Sequence, residues 1–255
     1  MTNPTEIIEP KIIFTDEQLL VLNKPAGWLT HPSGRGEAFS ITEWLLARYP
    51  SLASIGPAEK LQNGALIPRA GILHRLDQET SGVLAVGQTN EAFEWFTRAF
   101  RERTTAKVYR AIVSGVVKLD DGVIDLPIGR SRKDPRRRVA RPERSRRASL
   151  KAQGELRPAI TNFHVLERFT KHTYLELTPE TGRTHQLRAH LKAIHHPILG
   201  DQLYAPKELT VPTISRTALH AYSLTLPLIN DEKISFTAPL PEDFSQTLDY
   251  LRKPC

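Results

Sequence analysis

The chain has 255 residues, of which 25% are charged and 40% hydrophobic, and its formal net charge is +7. This composition is typical of globular proteins that are long enough to bury a core. Its apolar stretches are far shorter than the ~20 residues of a membrane helix, its first residues carry no secretory pattern, and its single cysteine excludes a disulfide framework or a cysteine zinc site. We therefore expect a cytoplasmic protein with no membrane contact.

The first half of the chain predicts strands and helices in irregular order. A short helix is predicted over 41–49, and an amphipathic helix starts at Asn90, since its apolar residues recur at helical spacing. Residues 51–71 are predicted to be irregular. Apolar runs bounded by turn residues predict strands over 11–14, 19–22, 82–86 and 108–113.

The second half predicts a helix over 183–194 and a terminal helix near Pro241, because proline suits the first helical turn. Strands are predicted over 159–169, 173–177, 218–228 and 233–236. Strands joined by short turns dominate, and the helices follow no regular alternation. This pattern favours an α+β fold, with a mostly antiparallel sheet flanked by helices, over a doubly wound α/β fold.

The positive charge is concentrated between Arg130 and Lys151, a segment that contains eleven basic residues and only two acidic ones. The rest of the chain is slightly acidic, so this segment indicates a polyanion partner, most simply nucleic acid. From the charge alone, a solvated loop that aids solubility is an equal alternative. The candidate binding residues are Arg130, Arg132, Lys133, Arg136, Arg137, Arg138, Arg144, Arg146 and Arg147.

Two short segments carry side chains suited to chemistry. Asp77 directly precedes a predicted buried strand, a position that presents a carboxylate rigidly, although a structural cap is an alternative. Arg183 lies at the start of a predicted helix, where a guanidinium can bind a carboxylate or phosphate through two hydrogen bonds. A surface arginine beside a helix cap is the alternative for that position.

Patterns for metal and nucleotide cofactors are missing from the sequence. His185 and His190 are five residues apart and so face different sides of a helix, and no HExxH motif occurs. Neither GxxxxGK[ST], GxGxxG nor GxSxG is present. The sequence therefore predicts no metal and no cofactor.

Taken together, these segments and several others resemble the RluA-type family of RNA pseudouridine synthases. The stretches that carry the resemblance, in order, are LNKPAG at 22–27, THP at 30–32, RAGILHRLD at 69–77, TSG at 80–82, KVYRAIV at 107–113, TPETGRTHQLR at 178–188, HPILGD at 196–201, LHA at 219–221 and APLP at 238–241. A single HRLD would be weak evidence, but the ordered set is specific. It covers nearly the whole chain from Lys11 onward.

The resemblance implies a cofactor-free isomerase that converts uridine to pseudouridine in structured ribosomal or transfer RNA, on an α+β fold with a central active-site cleft. Asp77 matches the catalytic aspartate, which acts by covalent attack or by formation of a glycal. Tyr109 matches the tyrosine that stacks on uracil, and Arg183 the arginine that pairs with the aspartate. Leu187 matches an apolar residue of the uracil pocket, and Arg75 the arginine that fills the space of the flipped base.

The resemblance also sets expectations for domain organisation. We expect a tail over 1–10 and a catalytic domain over 11–255, with a basic loop at 130–154 that becomes ordered on RNA. Many members of the family carry an S4-type RNA-binding domain ahead of the catalytic domain, and we expect none here. We further expect a monomer.

Two other function classes remain open from the residues. One is a non-catalytic RNA-binding or ribosome-assembly factor on the same scaffold, which would not need the full set of Arg75, Asp77, Tyr109 and Arg183. The other is a hydrolase of glycosidic or phosphodiester bonds. Glycoside hydrolysis usually uses two carboxylates, and only Asp77 stands out, with Glu180 a weak second.

Overall fold

The computed structural model describes residues 8–32, 39–61, 64–142, 152–206, 211–228 and 232–253. The chain divides into two compact units. The first comprises Met1–Thr105 and Ser223–Pro239, and the second comprises Ala106–Tyr222 and Leu240–Cys255.

Fourteen strands and four α-helices are assigned in the described residues. The strands are β1 (Lys11–Thr15), β2 (Leu19–Lys24), β3 (Glu59–Lys60), β4 (Leu66–Ile67), β5 (Ser81–Gly87), β6 (Ala106–Ser114), β7 (Asp121–Asp125), β8 (Ile128–Ser131), β9 (Arg138–Ala140), β10 (Ala152–Arg157), β11 (Ile160–Arg168), β12 (His172–Pro179), β13 (Leu219–Pro227) and β14 (Lys233–Thr237). The helices are α1 (Ile41–Arg48), α2 (Asn90–Glu102), α3 (Gln186–Ala193) and α4 (Glu242–Arg252). A short 3₁₀-helix spans Pro50–Ser54.

The first unit is built around strand β5, whose seven residues are all buried. Strand β2 lies between β1 and β5 and pairs antiparallel with both. Helix α2 begins at Thr89, whose hydroxyl accepts the Ala92 N–H, and it buries Phe93 and Phe96 on its apolar face. The loops at the ends of β2 and β5 are therefore attached to buried, paired strands.

The second unit contains an antiparallel arrangement in which β12 lies between β6 and β11, and β7 pairs with the far side of β11. The larger part of its core is a hydrophobic cluster that includes Ile112 and Leu177 from the strands. Helices α3 and α4 contribute Leu191 and Phe244 to the same cluster. Buried residues alternate along β12, as expected for a strand with one face on the core.

A separate three-stranded sheet lies in the second unit, in the order β10–β8–β9. Its inner side packs on α3 through a small cluster of Ile128, Ala140, Ala159, Ala189 and Tyr204. We call residues 128–140, which form β8, β9 and the turn between them, the basic hairpin.

The prediction of a basic loop at 130–154 is therefore wrong for its described part. The end of β8, the whole of β9 and the beginning of β10 lie inside this range. The prediction rested on the charged residues and overlooked two apolar side chains, Ile128 and Ala140. These two lie opposite each other on β8 and β9 and pack against α3. Arg144, Arg146 and Arg147 lie outside the described residues, and so does the proposed ordering of the loop around them.

The predicted α+β class is confirmed, and the antiparallel pairing agrees with the expected sheet. Helix α3 starts at Gln186 and not at Arg183, because His185 has a left-handed backbone conformation, with φ of 55°, that a helix cannot include. The terminal helix starts at Glu242, with Pro241 as its cap. In the described residues, no helix is both long and apolar enough to span a membrane.

Gly71 offers a test of the packing in the first unit. Its φ is +68°, and a Cβ at this position would overlap the carbonyl oxygen of Gly87. Gly71→Ala should lower the free energy of unfolding by about 3 kcal/mol or more, because steric overlap adds to left-handed strain. Gly64→Ala is the control, since its φ is +86° with no atom within 4 Å, and strain alone should cost it about 1–2 kcal/mol.

Urea unfolding of the full chain measures both variants. Equal losses for Gly71→Ala and Gly64→Ala would show that the close approach to Gly87 does not exist.

Candidate active site

Asp77 lies in the loop that leads from residue 73 into strand β5, in the first unit. Its side chain is half-buried, whereas Arg75, two residues earlier, is exposed. The loop closes with a turn in which the Thr80 N–H donates to the Asp77 carbonyl oxygen over 3.0 Å. Asp77 is thus held in irregular chain immediately before a fully buried strand.

The loop is tied to a second segment, residues 24–30, on both sides of Asp77. On one side, the Thr30 hydroxyl donates to the Leu76 carbonyl over 2.8 Å and accepts the Leu76 N–H over 3.1 Å. On the other side, the Gly27 N–H donates to the Gln78 backbone carbonyl over 2.9 Å, and the side-chain amide of Gln78 donates to the Gly27 carbonyl. The backbone at Asp77 is therefore fixed from residues 76 and 78.

Lys24 is the charged member of this support. It is fully buried, and its ammonium donates to the carbonyls of Pro25, Trp28 and Gln78 over 3.0, 2.8 and 3.1 Å. Charge-assisted hydrogen bonds are stronger than neutral ones, and a lysine has three donors with which to make them. Lys24 therefore cross-links the end of β2 to the residue after Asp77.

His31 adds a neutral group beside this support. Burial lowers the pKa of His31 to about 4, with a contribution in the same direction from Arg69 and Arg75 and an opposing one from Glu59. The Thr42 hydroxyl donates to the Thr30 carbonyl and so accepts from His31 Nδ1 over 2.9 Å. At neutral pH His31 is therefore an uncharged hydrogen-bond donor.

The other predicted residues of the site, Tyr109, Arg183 and Leu187, lie in the second unit. Tyr109 is half-buried on β6 opposite Leu177 of β12, and Leu187 is buried on α3. Tyr109 packs against the same hydrophobic cluster that contains Leu177 and Leu187. The fold therefore brings Tyr109 and Leu187 to one cluster.

Arg183 lies in the loop between β12 and α3 and is half-buried. Its N–H donates to Gln186 Oε1 over 3.0 Å, and its guanidinium Nε donates to the Pro158 carbonyl over 3.3 Å. The Gln186 N–H in turn donates to the Arg183 carbonyl over 3.0 Å. This reciprocal pair closes the turn that leads into α3.

The basic hairpin also has a defined structure. Asp134 accepts two hydrogen bonds from the Arg136 guanidinium, and this contact lowers the pKa of the Asp134 carboxyl to about 2. The same carboxylate accepts the Arg136 N–H, so it also shapes the turn between β8 and β9. Arg130, Arg132 and Lys133 are exposed beside this turn.

A tyrosine joins the basic hairpin to the start of α3. The Tyr204 hydroxyl accepts the Arg138 N–H over 2.6 Å and forms a hydrogen bond with His185 Nδ1 over 3.1 Å. Tyr204 is itself oriented by Asp201, which accepts its N–H and holds Arg188 in a buried two-bond ion pair. The hairpin and the loop of Arg183 therefore share a rigid support within the second unit.

Acidic, histidine and cysteine side chains form no group of three that could hold a metal ion among the described residues.

The chain matches the family model for RNA pseudouridylate synthase over residues 18–193. This match covers more than half of the chain and includes Asp77, Tyr109, Arg183 and Leu187. The chain belongs to the RNA pseudouridylate synthase family. The resemblance to RluA-type synthases is thereby confirmed.

Relatives with curated names support this membership. A Neisseria meningitidis protein named ribosomal large subunit pseudouridine synthase D is 38% identical over 251 residues, which cover 94% of this chain and 61% of the relative. The Bacillus subtilis RNA pseudouridine synthase YlyB is 36% identical over 249 residues, covering 97% of this chain and 75% of the relative. The chain thus spans about three fifths of the length of the Neisseria synthase.

Solved structures of synthase domains share the fold. Human RNA pseudouridylate synthase domain containing 4 superposes with a TM-score of 0.69 at 30% identity, covering 94% of this chain and 92% of that chain. Human RNA pseudouridylate synthase domain containing 1 has a TM-score of 0.71 at 24% identity, with 99% and 98% covered. The second likeness concerns the fold alone.

Sequence reasoning missed three supporting residues of this family member: Lys24, Thr30 and Gln186. All three lie inside the stretches that carry the resemblance, but none was singled out. A lysine at the end of an apolar run was the one signal available, because such a lysine needs buried partners. Nothing local marked the other two, whose partners are distant in the sequence.

Thr30→Val tests the support of the Asp77 loop. The substitution keeps the shape of the side chain but removes both hydrogen bonds to Leu76, and each buried backbone group left unpaired costs about 1–3 kcal/mol. We expect a lower free energy of unfolding and faster hydrogen exchange at the Leu76 amide. Thr30→Ser keeps the hydroxyl and is the control, and it should retain the protection of that amide.

If Thr30→Val leaves the exchange rate at Leu76 as slow as Thr30→Ser does, the hydroxyl does not hold the loop.

Proposed function

We propose that this protein isomerises uridine in RNA to pseudouridine and that Asp77 is its catalytic residue. The observation that carries the proposal is the anchoring of Asp77, whose neighbours Leu76 and Gln78 are both tied to residues 24–30. A surface cap would not need support from a buried lysine and a buried threonine. Membership of the synthase family supplies the reaction that such a carboxylate serves.

The reaction replaces an N-glycosidic bond by a C-glycosidic bond, moves one proton from C5 to N1 in net terms, and conserves the composition of the nucleotide. The N1–C1′ bond of uridine breaks, the uracil turns, and C5 forms a new bond to C1′. The proton on C5 leaves to solvent and N1 gains one. In this proposal Asp77 either attacks the nucleotide covalently or removes the C2′ proton to give a glycal. No cofactor is required, because the reaction is neither a redox change nor a hydrolysis.

The resemblance assigns roles to four further residues. We assign to Tyr109 the stacking on uracil and to Leu187 an apolar wall of its pocket, consistent with their place at one hydrophobic cluster. Arg183 is proposed to pair with the Asp77 carboxylate, as the resemblance implies. Arg75, which is exposed, is proposed to fill the space left by the flipped base.

RNA is the proposed partner, bound through phosphates by the basic hairpin. Flipping a base costs a few kcal/mol, and backbone contacts from lysine and arginine offset such a cost. Arg144, Arg146 and Arg147 belong to the same proposal from their charge alone. We propose ribosomal RNA or transfer RNA as substrate, and the name of the Neisseria relative favours large-subunit ribosomal RNA. The enzyme is proposed to act as a monomer in the cytoplasm.

Asp77→Asn tests the catalytic assignment. The substitution removes the carboxylate and keeps its shape, so release of tritium from uracil C5 should fall by at least ~10²-fold while RNA binding persists. The substrates are unmodified transcripts of large-subunit ribosomal RNA and of transfer RNAs, labelled with tritium at C5. Asp249→Asn, on an exposed side chain of α4, is the matched control and should release tritium at the wild-type rate.

Retained release by Asp77→Asn would overturn the catalytic role of Asp77. Tight binding of both RNAs by the wild type without any release would instead favour a non-catalytic RNA-binding factor.

Neutralising the basic hairpin tests the RNA surface. The triple variant Arg130→Gln, Arg132→Gln and Lys133→Gln leaves the Asp134–Arg136 turn intact, so its structure should persist. Each phosphate contact to single-stranded RNA contributes about 0.7 to the slope of log affinity against log salt, so the slope should shrink by about 2. The control neutralises Lys60, Arg98 and Arg101, three exposed cations of the first unit.

Affinity is measured by filter binding over a range of salt concentrations. A slope that is the same in both triple variants would remove the basic hairpin from the RNA surface.

A further inference from the structure

Gln186 has a larger role in the loop of Arg183 than a helix cap requires. It is the first residue of α3, its side chain is buried, and its amide makes four hydrogen bonds. The oxygen accepts the Arg183 N–H over 3.0 Å and the Thr181 hydroxyl over 2.7 Å. The nitrogen donates to the Ile160 carbonyl over 2.9 Å and to the Thr161 hydroxyl over 3.0 Å.

Only one orientation of this amide satisfies its neighbours. The Arg183 N–H can only donate and the Ile160 carbonyl can only accept, so Oε1 must face Arg183 and Nε2 must face Ile160. A flipped amide would place two donors together and two acceptors together. The geometry therefore gives Gln186 one fixed position between the end of β12 and the start of β11.

The direction of these bonds continues into the core. The Leu126 carbonyl can only accept, so His190 Nε2 carries the proton of the neutral ring, and the Thr161 hydroxyl, which accepts from Gln186, donates to His190 Nδ1 over 2.9 Å. The ring then carries its proton on Nε2 and donates it to the Leu126 carbonyl over 2.8 Å. Burial lowers the pKa of His190, which keeps the ring neutral and Nδ1 an acceptor.

The network ends at the backbone of Arg183, where no regular structure holds the chain. Arg183 precedes His185, whose left-handed conformation separates it from the helix. Apart from the turn contact between Arg183 and Gln186, the described hydrogen bonds of Arg183 include only the 3.3 Å contact from its side chain to Pro158. The position of this residue therefore depends on Gln186.

We propose that Gln186 is a positioning residue for the reaction, whose amide oxygen fixes the backbone of Arg183. This inference rests on the proposed function, in which the Arg183 guanidinium supports catalysis. Gln186 does not contact the substrate; it acts through Arg183. Thr161 and His190 extend the network into the core but do not touch Arg183.

Gln186→Met tests this role, because methionine has a similar length and shape but no amide. A displacement of about 1 Å in a supporting group can cost on the order of 10²-fold in rate. We expect kcat for tritium release to fall by roughly ten- to a hundredfold, while KM for the RNA transcript stays within about threefold. Loss of affinity alone, with kcat unchanged, would overturn the proposal.

Thr161→Val is the matched control for stability. It removes a hydroxyl from the same buried network and leaves the His190 Nδ1 acceptor unpaired, yet it keeps the contact between Gln186 Oε1 and the Arg183 N–H. We expect it to lower the unfolding temperature, with kcat within about threefold of wild type at temperatures where it is folded. An equal fall in kcat for Thr161→Val and Gln186→Met would mean that the network is merely structural.

A double-mutant cycle separates action through Arg183 from a general effect. In an Arg183→Lys background the guanidinium is already lost, so adding Gln186→Met should lower kcat by less than about threefold. Full additivity of the two substitutions would overturn the proposal.

Hydrogen exchange provides a readout that needs neither activity nor a variant that folds. The Arg183 amide of the wild-type protein should be protected, because its donor is paired with a buried acceptor. Rapid exchange at this amide in the folded protein would overturn the proposal. Absence of tritium release by the wild type would overturn the proposed function instead, so the two failures are distinct.

Discussion

The central constraint in this protein is that Asp77, the carboxylate proposed to be catalytic, lies on a loop, which has no regular hydrogen-bond ladder of its own. Around Asp77 the missing ladder is replaced by two buried polar side chains, Thr30 and Lys24, which bind the backbone of Leu76 and Gln78. Buried polar groups are costly unless they are fully paired, so each of these side chains specifies the loop as well as stabilising it.

In the second unit, a loop that carries a proposed site residue is likewise held by side chains, but these side chains are neutral. The amide of Gln186 binds the backbone of Arg183 and two segments beyond it, and Tyr204 joins the start of α3 to the basic hairpin. Helix α3 therefore connects a charged surface to a residue proposed to act in catalysis. Because Tyr204 and Gln186 join them to the start of α3, the basic hairpin and the Arg183 loop share one support within the second unit.

Much of the fold was predictable because its signals are local. The helix from Asn90 shows its apolar residues at helical spacing and a capping threonine just before them, and both features are present. Strands β7 to β9 were missed because aspartates and arginines interrupt their short apolar stretches. The prediction of a basic loop failed for the same reason, since charge described the exposed side of the hairpin and not the side that packs on α3.

The site was predictable only in part. The stretches that resemble the synthase family located Asp77 and Arg183, but the residues that support them bind partners far away in the sequence. Thr30 and Leu76 are 46 residues apart, and Gln186 and Thr161 are 25 apart. Such pairs are formed by the tertiary fold, and no local sequence pattern in either segment predicts them.

A map of pseudouridines in total RNA tests the central claim most directly. Two strains are compared, in which the chromosomal gene encodes either the natural protein or the Asp77→Asn variant at equal abundance. If an anchored Asp77 performs the isomerisation, at least one pseudouridine present in the first strain will be uridine in the second. Identical maps at equal protein levels would contradict the account.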